Sequence, residues 1–218
     1  MRIEEAYNKL RDGIVGKKFN EIFSSDDLIR NKGKVGQLVE KFLGISPGNR
    51  NLDFVDGELK TFKCKAKCKV NFIEVDGTEE EESCISPKET LAITQISTNN
   101  IADYLSLDFE ETGLYKKIQR ILFVPVNKEA REEEWYIPSV KLVATTQEYG
   151  KELKEDFEYI ISEIKRMDKI KTITGPNKYL QIRSKDSQPY KPIFFNGKQL
   201  SNKNYAFYFK KEFIQEIF

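Results

Sequence analysis

The 218-residue sequence contains no histidine and only three cysteines, Cys64, Cys68 and Cys84. Without histidine, Ser-His and Cys-His nucleophilic mechanisms are excluded, and so is the usual general base near neutral pH. A zinc site would lack its fourth ligand, because no histidine can complete a set of three cysteines. The odd cysteine count and the lack of an export signal predict free thiols. Any chemistry must therefore use carboxylates, lysines, tyrosines or a metal ion held by oxygen ligands.

Long apolar runs and an excess of one charge sign are also missing. No apolar run approaches the roughly 20 residues of a membrane span, and the first residues lack the apolar core of a signal peptide, which predicts a cytoplasmic protein with no membrane partner. Lysine and arginine number 36 against 35 acidic residues, so total charge does not indicate a nucleic-acid binder, although local clusters still could. The length suits one domain with a sizeable core or two small lobes.

Hydrophobic periodicity predicts a mixed α/β fold. Helical patterns cover residues 4–23 with a break at Gly13, 32–43, two short helices within 99–119 that separate near Gly113, 147–168, and the C-terminal "KKEFIQEIF". Strand patterns cover about 15 residues from Glu58, then "ETLAITQI", "RILFVPV", "WYIPSVKLVAT", "KYLQIRS" and "NYAFYF".

The strand that begins at Glu58 alternates apolar residues with lysines. Its apolar positions include Cys64 and Cys68, which we interpret as core thiols because free cysteine is often buried. The alternating lysines are interpreted as a solvated face, with DNA contact as the alternative.

Asp53, Glu58 and Lys60 form the clearest chemical motif. Glu58 and Lys60 lie two residues apart in a strand, so their side chains share a face. Asp53 precedes them by a short turn and can reach the same point. Two carboxylates and the backbone carbonyl of Leu59 suit Mg²⁺, and a neighbouring lysine can act on water or offset charge on a phosphate. This is the D…E-x-K signature of the restriction-endonuclease superfamily; the alternative is an exposed ion pair of little energetic value.

Three further segments resemble the MutH family, which holds the mismatch-repair nicking endonuclease and GATC-cutting type II restriction enzymes. They are "NKGKVGQLVEKFLG" with "LDF…GELKT", then "YKKIQRILFVPV", then "KYLQIRSKD…NYAFYFKKEFIQEI". They occur in the family's order over most of residues 30–218. The resemblance implies a MutH-like restriction-endonuclease fold, a mixed β-sheet flanked by helices. It implies one domain over 1–218, with a DNA cleft between a catalytic lobe of about 1–145 and a recognition lobe of about 146–218.

Carried over residue by residue, the resemblance assigns Asp53, Glu58 and Lys60 to metal binding and catalysis. It adds Glu40 as a further acidic residue, where the residues alone suggest a solvated helix glutamate. It also implies a second active-site lysine, Lys117, with its neighbour Lys116 as a rival. The spacing between Asp53 and Glu58 is shorter than the family usually has, which makes Asp56 a rival metal ligand.

The resemblance also implies DNA-binding residues near the C-terminus. Arg183 and Lys185 match the family's R-P-K recognition strand, although Ser184 replaces the proline. Tyr208 matches a tyrosine close to the adenine of the recognised site, and the alternation places it on the face opposite the core aromatics of its strand. The remaining DNA-binding candidates are the lysines Lys34, Lys210 and Lys211.

These inferences predict a Mg²⁺-dependent endonuclease that hydrolyses phosphodiester bonds in double-stranded DNA. The first choice is a type II restriction enzyme recognising GATC or a related short site, acting as a monomer or transient homodimer on DNA. The alternative is a MutH-type mismatch-repair nicking endonuclease. From other classes, a non-catalytic DNA-binding module or a structural α/β protein stays open.

Overall fold

The computed structural model describes residues 1–30, 35–45, 52–70, 81–185 and 187–218. These residues form two compact units. Unit 1 comprises Met1–Glu89, Leu122–Leu142 and Ile214–Phe218, and unit 2 comprises Thr90–Ile121 and Val143–Phe213. The lobe boundary near residue 145 stays a prediction.

The helices are α1 (Ile3–Gly13), α2 (Ser25–Arg30), α3 (Val35–Leu43), α4 (Ile101–Ser106), α5 (Gly113–Ile118), α6 (Thr145–Glu148), α7 (Gly150–Met167) and α8 (Lys211–Ile217). The strands are β1 (Glu58–Val70), β2 (Glu81–Pro87), β3 (Leu91–Ile96), β4 (Ile121–Asn127), β5 (Lys141–Val143), β6 (Leu180–Lys185), β7 (Ile193–Phe195), β8 (Lys198–Ser201) and β9 (Asn204–Phe209). In the described part of the chain, no helix combines the length and apolarity needed to cross a membrane.

The core of unit 1 lies on a four-stranded sheet of order β2-β1-β4-β5. Every residue of β4 is buried, as its continuous apolar run predicts. Helix α3 buries the predicted face of Val35, Leu38, Val39 and Leu43 in the same core as Leu59 of β1. The helix approaches the strand closely, since a Cβ atom on Gly36 would lie 3.5 Å from Thr61 Oγ1. This packing holds α3 beside the beginning of β1.

Unit 2 is built on an antiparallel sheet of order β3-β9-β6. One face of β9 packs inward with Phe207 and Phe209, which are fully buried. The ring of Phe207 lies 5.2 Å from that of Tyr104 and 6.2 Å from that of Phe157 of α7. The aromatic pattern of β9 therefore faces the core as predicted, and leaves the other face of the sheet for Tyr208.

The mixed α/β fold and the predicted position of β1 are confirmed, whereas the prediction for residues 135–145 is wrong in part. The strand predicted around "WYIPSVKLVAT" is reduced to β5, while Tyr136 and Ile137 make isolated bridges. Pro138 separates the two parts, because proline cannot donate to a strand ladder. The two short helices predicted within 99–119 are confirmed as α4 and α5, which residues 107–112 separate. Thr112 caps α5 by accepting the backbone N–H of Tyr115 at 3.2 Å.

The hairpin formed by β7 and β8 has no counterpart among the predicted elements. Its turn contains Asn196 at φ 48° and Gly197 at φ 77°. Asn-Gly is the preferred sequence for a hairpin turn that needs positive φ at both central residues. The signal was therefore present in the sequence.

Candidate active site

Glu58 and Lys60 form an ion pair at the beginning of β1. Lys60 Nζ lies 2.9 Å from Glu58 Oε1. The Lys60 side chain is 15% exposed and the Glu58 side chain is 4% exposed. This confirms that the residues share a face and rules out the exposed ion pair considered above. A carboxylate with so little access to water depends on its cation, because desolvating a charge costs several kcal/mol.

Asp53 is held beside this pair by the backbone of β1. Its Oδ2 accepts the N–H of Leu59 at 3.0 Å. The turn between them is closed by a hydrogen bond from the N–H of Phe54 to the carbonyl of Gly57, also 3.0 Å. The short spacing between Asp53 and Glu58 therefore still brings the Asp53 carboxylate to the first residues of the strand.

Asp56 has a different role in the same turn. Its Oδ1 accepts the N–H of Ile3 at 2.9 Å, at the first residue of α1. The first N–H groups of a helix lack intrahelical partners, and a negative charge there is favourable to the helix dipole. Asp56 therefore stabilises the beginning of α1, which favours Asp53 as the metal ligand; the choice between the two stays a prediction.

Glu40 brings another carboxylate toward Asp53. It lies half-buried on α3, one turn before Gly44 ends the helix at φ 78°. Burial raises the pKa of Glu40, and the negative charge of Asp53 raises it further. The two carboxylates are thus close enough to repel each other, which argues against the solvated helix glutamate.

The chemistry of these donors fits a hard divalent cation. Carboxylates and a backbone carbonyl are the ligands that Mg²⁺ accepts, and a cation would relieve the repulsion between Glu40 and Asp53. Among the described residues, no three acidic or cysteine side chains stand close enough together to hold a metal. The predicted set requires only two carboxylates, of Asp53 and Glu58, with the Leu59 carbonyl.

Lys117 lies in the last turn of α5, in unit 2, and is half-buried, whereas Lys116 is exposed. The role of either lysine in catalysis stays a prediction.

The predicted recognition residues share the outer face of the sheet β3-β9-β6. Across this face, Tyr208 pairs with Gln181 and Ala92, and Ala206 pairs with Arg183 and Gln95. Directly paired residues of antiparallel strands project to the same side. Arg183 and Lys185 are exposed and Tyr208 is half-buried, so all three are presented on one surface of unit 2.

The three predicted DNA-binding lysines differ in their surroundings. Lys210 donates its ammonium to the carbonyl of Asn177 and its N–H to the carbonyl of Tyr179, so it helps to hold the end of β9. Lys211 is exposed at the first residue of α8. Lys34 lies outside the described residues. Of the two described lysines, Lys211 is therefore the better placed to approach a phosphate.

Two buried polar residues that position β6 were missed. The carboxylate of Asp156 on α7 accepts the backbone N–H groups of Lys178, Tyr179 and Leu180 at 2.7, 2.5 and 2.7 Å. Asn204 holds the segment after β6 through the carbonyls of residues 187 and 189 and the N–H of residue 191. A signal for Asp156 was present, because it interrupts the apolar stripe of α7 with a charge.

Comparison with known proteins shows similarity to one family. The family model described as DNA mismatch repair enzyme MutH matches residues 43–156, more than half of the chain. The DNA mismatch repair protein MutH of Actinobacillus pleuropneumoniae is 27% identical over 88% of this chain and 79% of its own length. The protein of the same name from Escherichia coli O6:K15:H31 is 29% identical, over 90% of this chain and 80% of its own. The DNA mismatch repair protein MutH of Buchnera aphidicola is 27% identical, over 92% of this chain and 90% of its own length.

The matched range contains Asp53, Glu58, Lys60 and Lys117, and the relatives extend the similarity over most of the chain. Together with the mixed sheet and its flanking helices, this confirms the predicted MutH-like restriction-endonuclease fold. The chain belongs to the MutH family.

Proposed function

We propose that the protein is a Mg²⁺-dependent endonuclease that nicks duplex DNA. The observation that carries this proposal is the buried pair of Glu58 and Lys60, with the carboxylates of Asp53 and Glu40 close by. A structural ion pair has no need of a further carboxylate beside it. A nuclease site needs at least a second oxygen ligand, because it has to hold a cation beside a lysine.

Each residue has a role that follows from its place. Asp53 and Glu58 supply oxygen ligands, and the hydrogen bond from Leu59 orients Asp53. Bound there, Mg²⁺ would stabilise charge on the phosphate and lower the pKa of an attacking water. Glu58 keeps the ammonium of Lys60 at a fixed place, where Lys60 orients the water or offsets charge on the phosphate. Glu40 adds negative charge that favours cation binding.

The comparisons favour the repair alternative over the type II restriction enzyme that was the first choice from the sequence. The three relatives described above are each named as DNA mismatch repair proteins. We therefore propose single-strand nicking as the reaction, with duplex DNA bound through the outer face of β3-β9-β6. GATC, which the resemblance implies, is the first sequence to test.

Supercoiled plasmids with and without GATC sites test the proposal. In Mg²⁺ the wild-type protein should convert GATC plasmid to open circles, and it should leave the plasmid intact in EDTA. Lys60→Ala should produce no open circles. Lys65→Ala is the matched control, because Lys65 is an exposed lysine of the same strand and should leave nicking unchanged.

Nicking by Lys60→Ala at the wild-type rate would contradict the assigned site. Wild-type protein that leaves both plasmids intact in Mg²⁺ would contradict the proposed activity. Linear DNA that forms without an open-circle intermediate would instead favour a type II restriction enzyme.

A further inference from the structure

The outer face of the sheet β3-β9-β6 carries a row of three paired residues, Arg183 on β6, Ala206 on β9 and Gln95 on β3. We infer that Gln95 is a further specificity-determining residue, which recognises an adenine in the major groove of the bound duplex. The inference rests on the proposed function, and it extends the recognition surface to a strand for which sequence analysis assigned no DNA contact.

The geometry of the row supports this role. Neighbouring strands lie about 4.8 Å apart, so the Cα atoms of Gln95 and Arg183 are separated by about 10 Å across β9. The residue between them is alanine, whose methyl group is too short to stand between the two longer side chains. Both Gln95 and Arg183 are exposed, whereas Ala206 is buried beneath this surface. A duplex can therefore meet both side chains from the same side.

Arg183 already extends over this face. Its Nη1 donates to Thr90 Oγ1 at 3.3 Å, and Thr90 immediately precedes β3, so the arginine side chain crosses the central strand β9. Arg183 and Gln95 thus lie on one continuous surface, which also includes Tyr208.

The chemistry of the two side chains is complementary. Arginine donates two hydrogen bonds to the O6 and N7 atoms of guanine, and glutamine pairs with N6 and N7 of adenine. Successive base pairs rise by about 3.4 Å, so side chains rooted about 10 Å apart fall within one short site. A guanine and an adenine read by Arg183 and Gln95 would lie in the same recognition sequence.

Among the residues that the structure describes, the Gln95 side chain makes no hydrogen bond that the fold depends on. The hydrogen bond that it makes beyond the sheet uses its backbone carbonyl, which accepts Asn100 Nδ2 at 2.9 Å. Replacing the side chain leaves this bond in place, so Gln95→Ala should fold normally.

The test is selection from a pool of duplexes with randomised central positions, performed in EDTA so that no DNA is cut. Wild-type protein should enrich a short sequence. Gln95→Ala should lose about tenfold or more of its preference at one adenine–thymine pair and keep its preference at the other positions, with unchanged affinity for non-specific DNA. Gln199→Ala, which removes an exposed glutamine from β8 of the same unit, is the matched control and should enrich the wild-type sequence.

Circular dichroism melting of both variants confirms that they are folded. A wild-type selection that Gln95→Ala reproduces at every position would overturn the inference about Gln95 and leave the proposed function standing. A wild-type protein that enriches no sequence would overturn sequence-specific binding itself, and with it the role of Gln95.

Discussion

Replacing Lys60 by methionine should destabilise unit 1 by removing the ammonium that pairs with the buried Glu58 carboxylate. The two charged atoms lie 2.9 Å apart, and the Glu58 side chain is 4% exposed. Removing one partner of a buried pair typically costs about 3–5 kcal/mol, and the 15% exposure of Lys60 places the expected loss near the lower end, about 3 kcal/mol. Methionine keeps most of the aliphatic volume of lysine, so the loss reports on charge.

A double-mutant cycle separates this charge effect from other changes. The cycle comprises Glu58→Gln, Lys60→Met and the double variant, each unfolded in urea. Trp135 is the only tryptophan of the chain and packs in unit 1 against Phe19, with ring centroids 6.3 Å apart, so its fluorescence follows the unfolding of this unit. The double variant should lose at least about 2 kcal/mol less than the sum of the single variants, because it removes both charges of the pair and leaves neither without the other.

Added Mg²⁺ provides a second readout of the same cycle. In Lys60→Met the cation should recover part of the lost stability, since it can neutralise the carboxylates of Asp53 and Glu58. If the losses of unfolding free energy in the two single variants add up to the loss in the double variant within about 0.5 kcal/mol, the reasoning is refuted, because Glu58 and Lys60 then do not act as a pair.

The remaining predictions concern metal binding, pH and recognition. Asp53→Asn should abolish Mg²⁺-dependent nicking, whereas Asp56→Asn should lower the melting temperature through the loss of its bond to α1; the reverse pattern would assign the metal to Asp56. The raised pKa of Glu40 means that ionising it costs stability as pH rises above the ordinary value of 4.5. Glu40→Gln should therefore have a higher melting temperature than wild type at pH 7, and this difference should disappear below pH 4.5. A difference in melting temperature that does not depend on pH would contradict this. Tyr208→Ala should lose about 1–3 kcal/mol of discrimination at one base pair in competition binding, and equal losses for cognate and non-cognate duplexes would exclude base reading. Lys211→Ala should weaken binding to all DNA alike and reduce the salt slope by about one, and an unchanged slope would exclude a phosphate contact.

Features that depend on local sequence could be predicted well. The apolar stripe of α3, the continuous apolar run of β4 and the alternation in β1 and β9 each determine which face is buried, because side-chain direction follows directly from the periodicity of the element. The shared face of Glu58 and Lys60 is a consequence of the same rule. Cys64 is buried as predicted, which raises the pKa of its thiol to about 12.

Features that depend on long-range contacts could not be predicted. Asp56 accepts a hydrogen bond from a residue 53 positions earlier, and Asp156 accepts three from residues 22 to 24 positions later. Neither spacing leaves a periodic pattern in the sequence. The pairing of Gln95 with Ala206 and Arg183 likewise follows from the order of strands in the sheet, which no single segment determines.

Strand-specific cleavage of a labelled duplex tests the central claim most directly. Each strand of a duplex with one GATC site is labelled separately and incubated in Mg²⁺ with wild-type protein or with the variant that combines Glu58→Gln and Lys60→Met, then resolved on a denaturing gel. The double variant lacks the charged pair but should remain folded, so loss of its activity reports on chemistry. We predict that wild-type protein breaks a strand at the site and that the double variant breaks neither. Cleavage by the double variant at the wild-type rate would contradict the assignment of the active site to Asp53, Glu58 and Lys60.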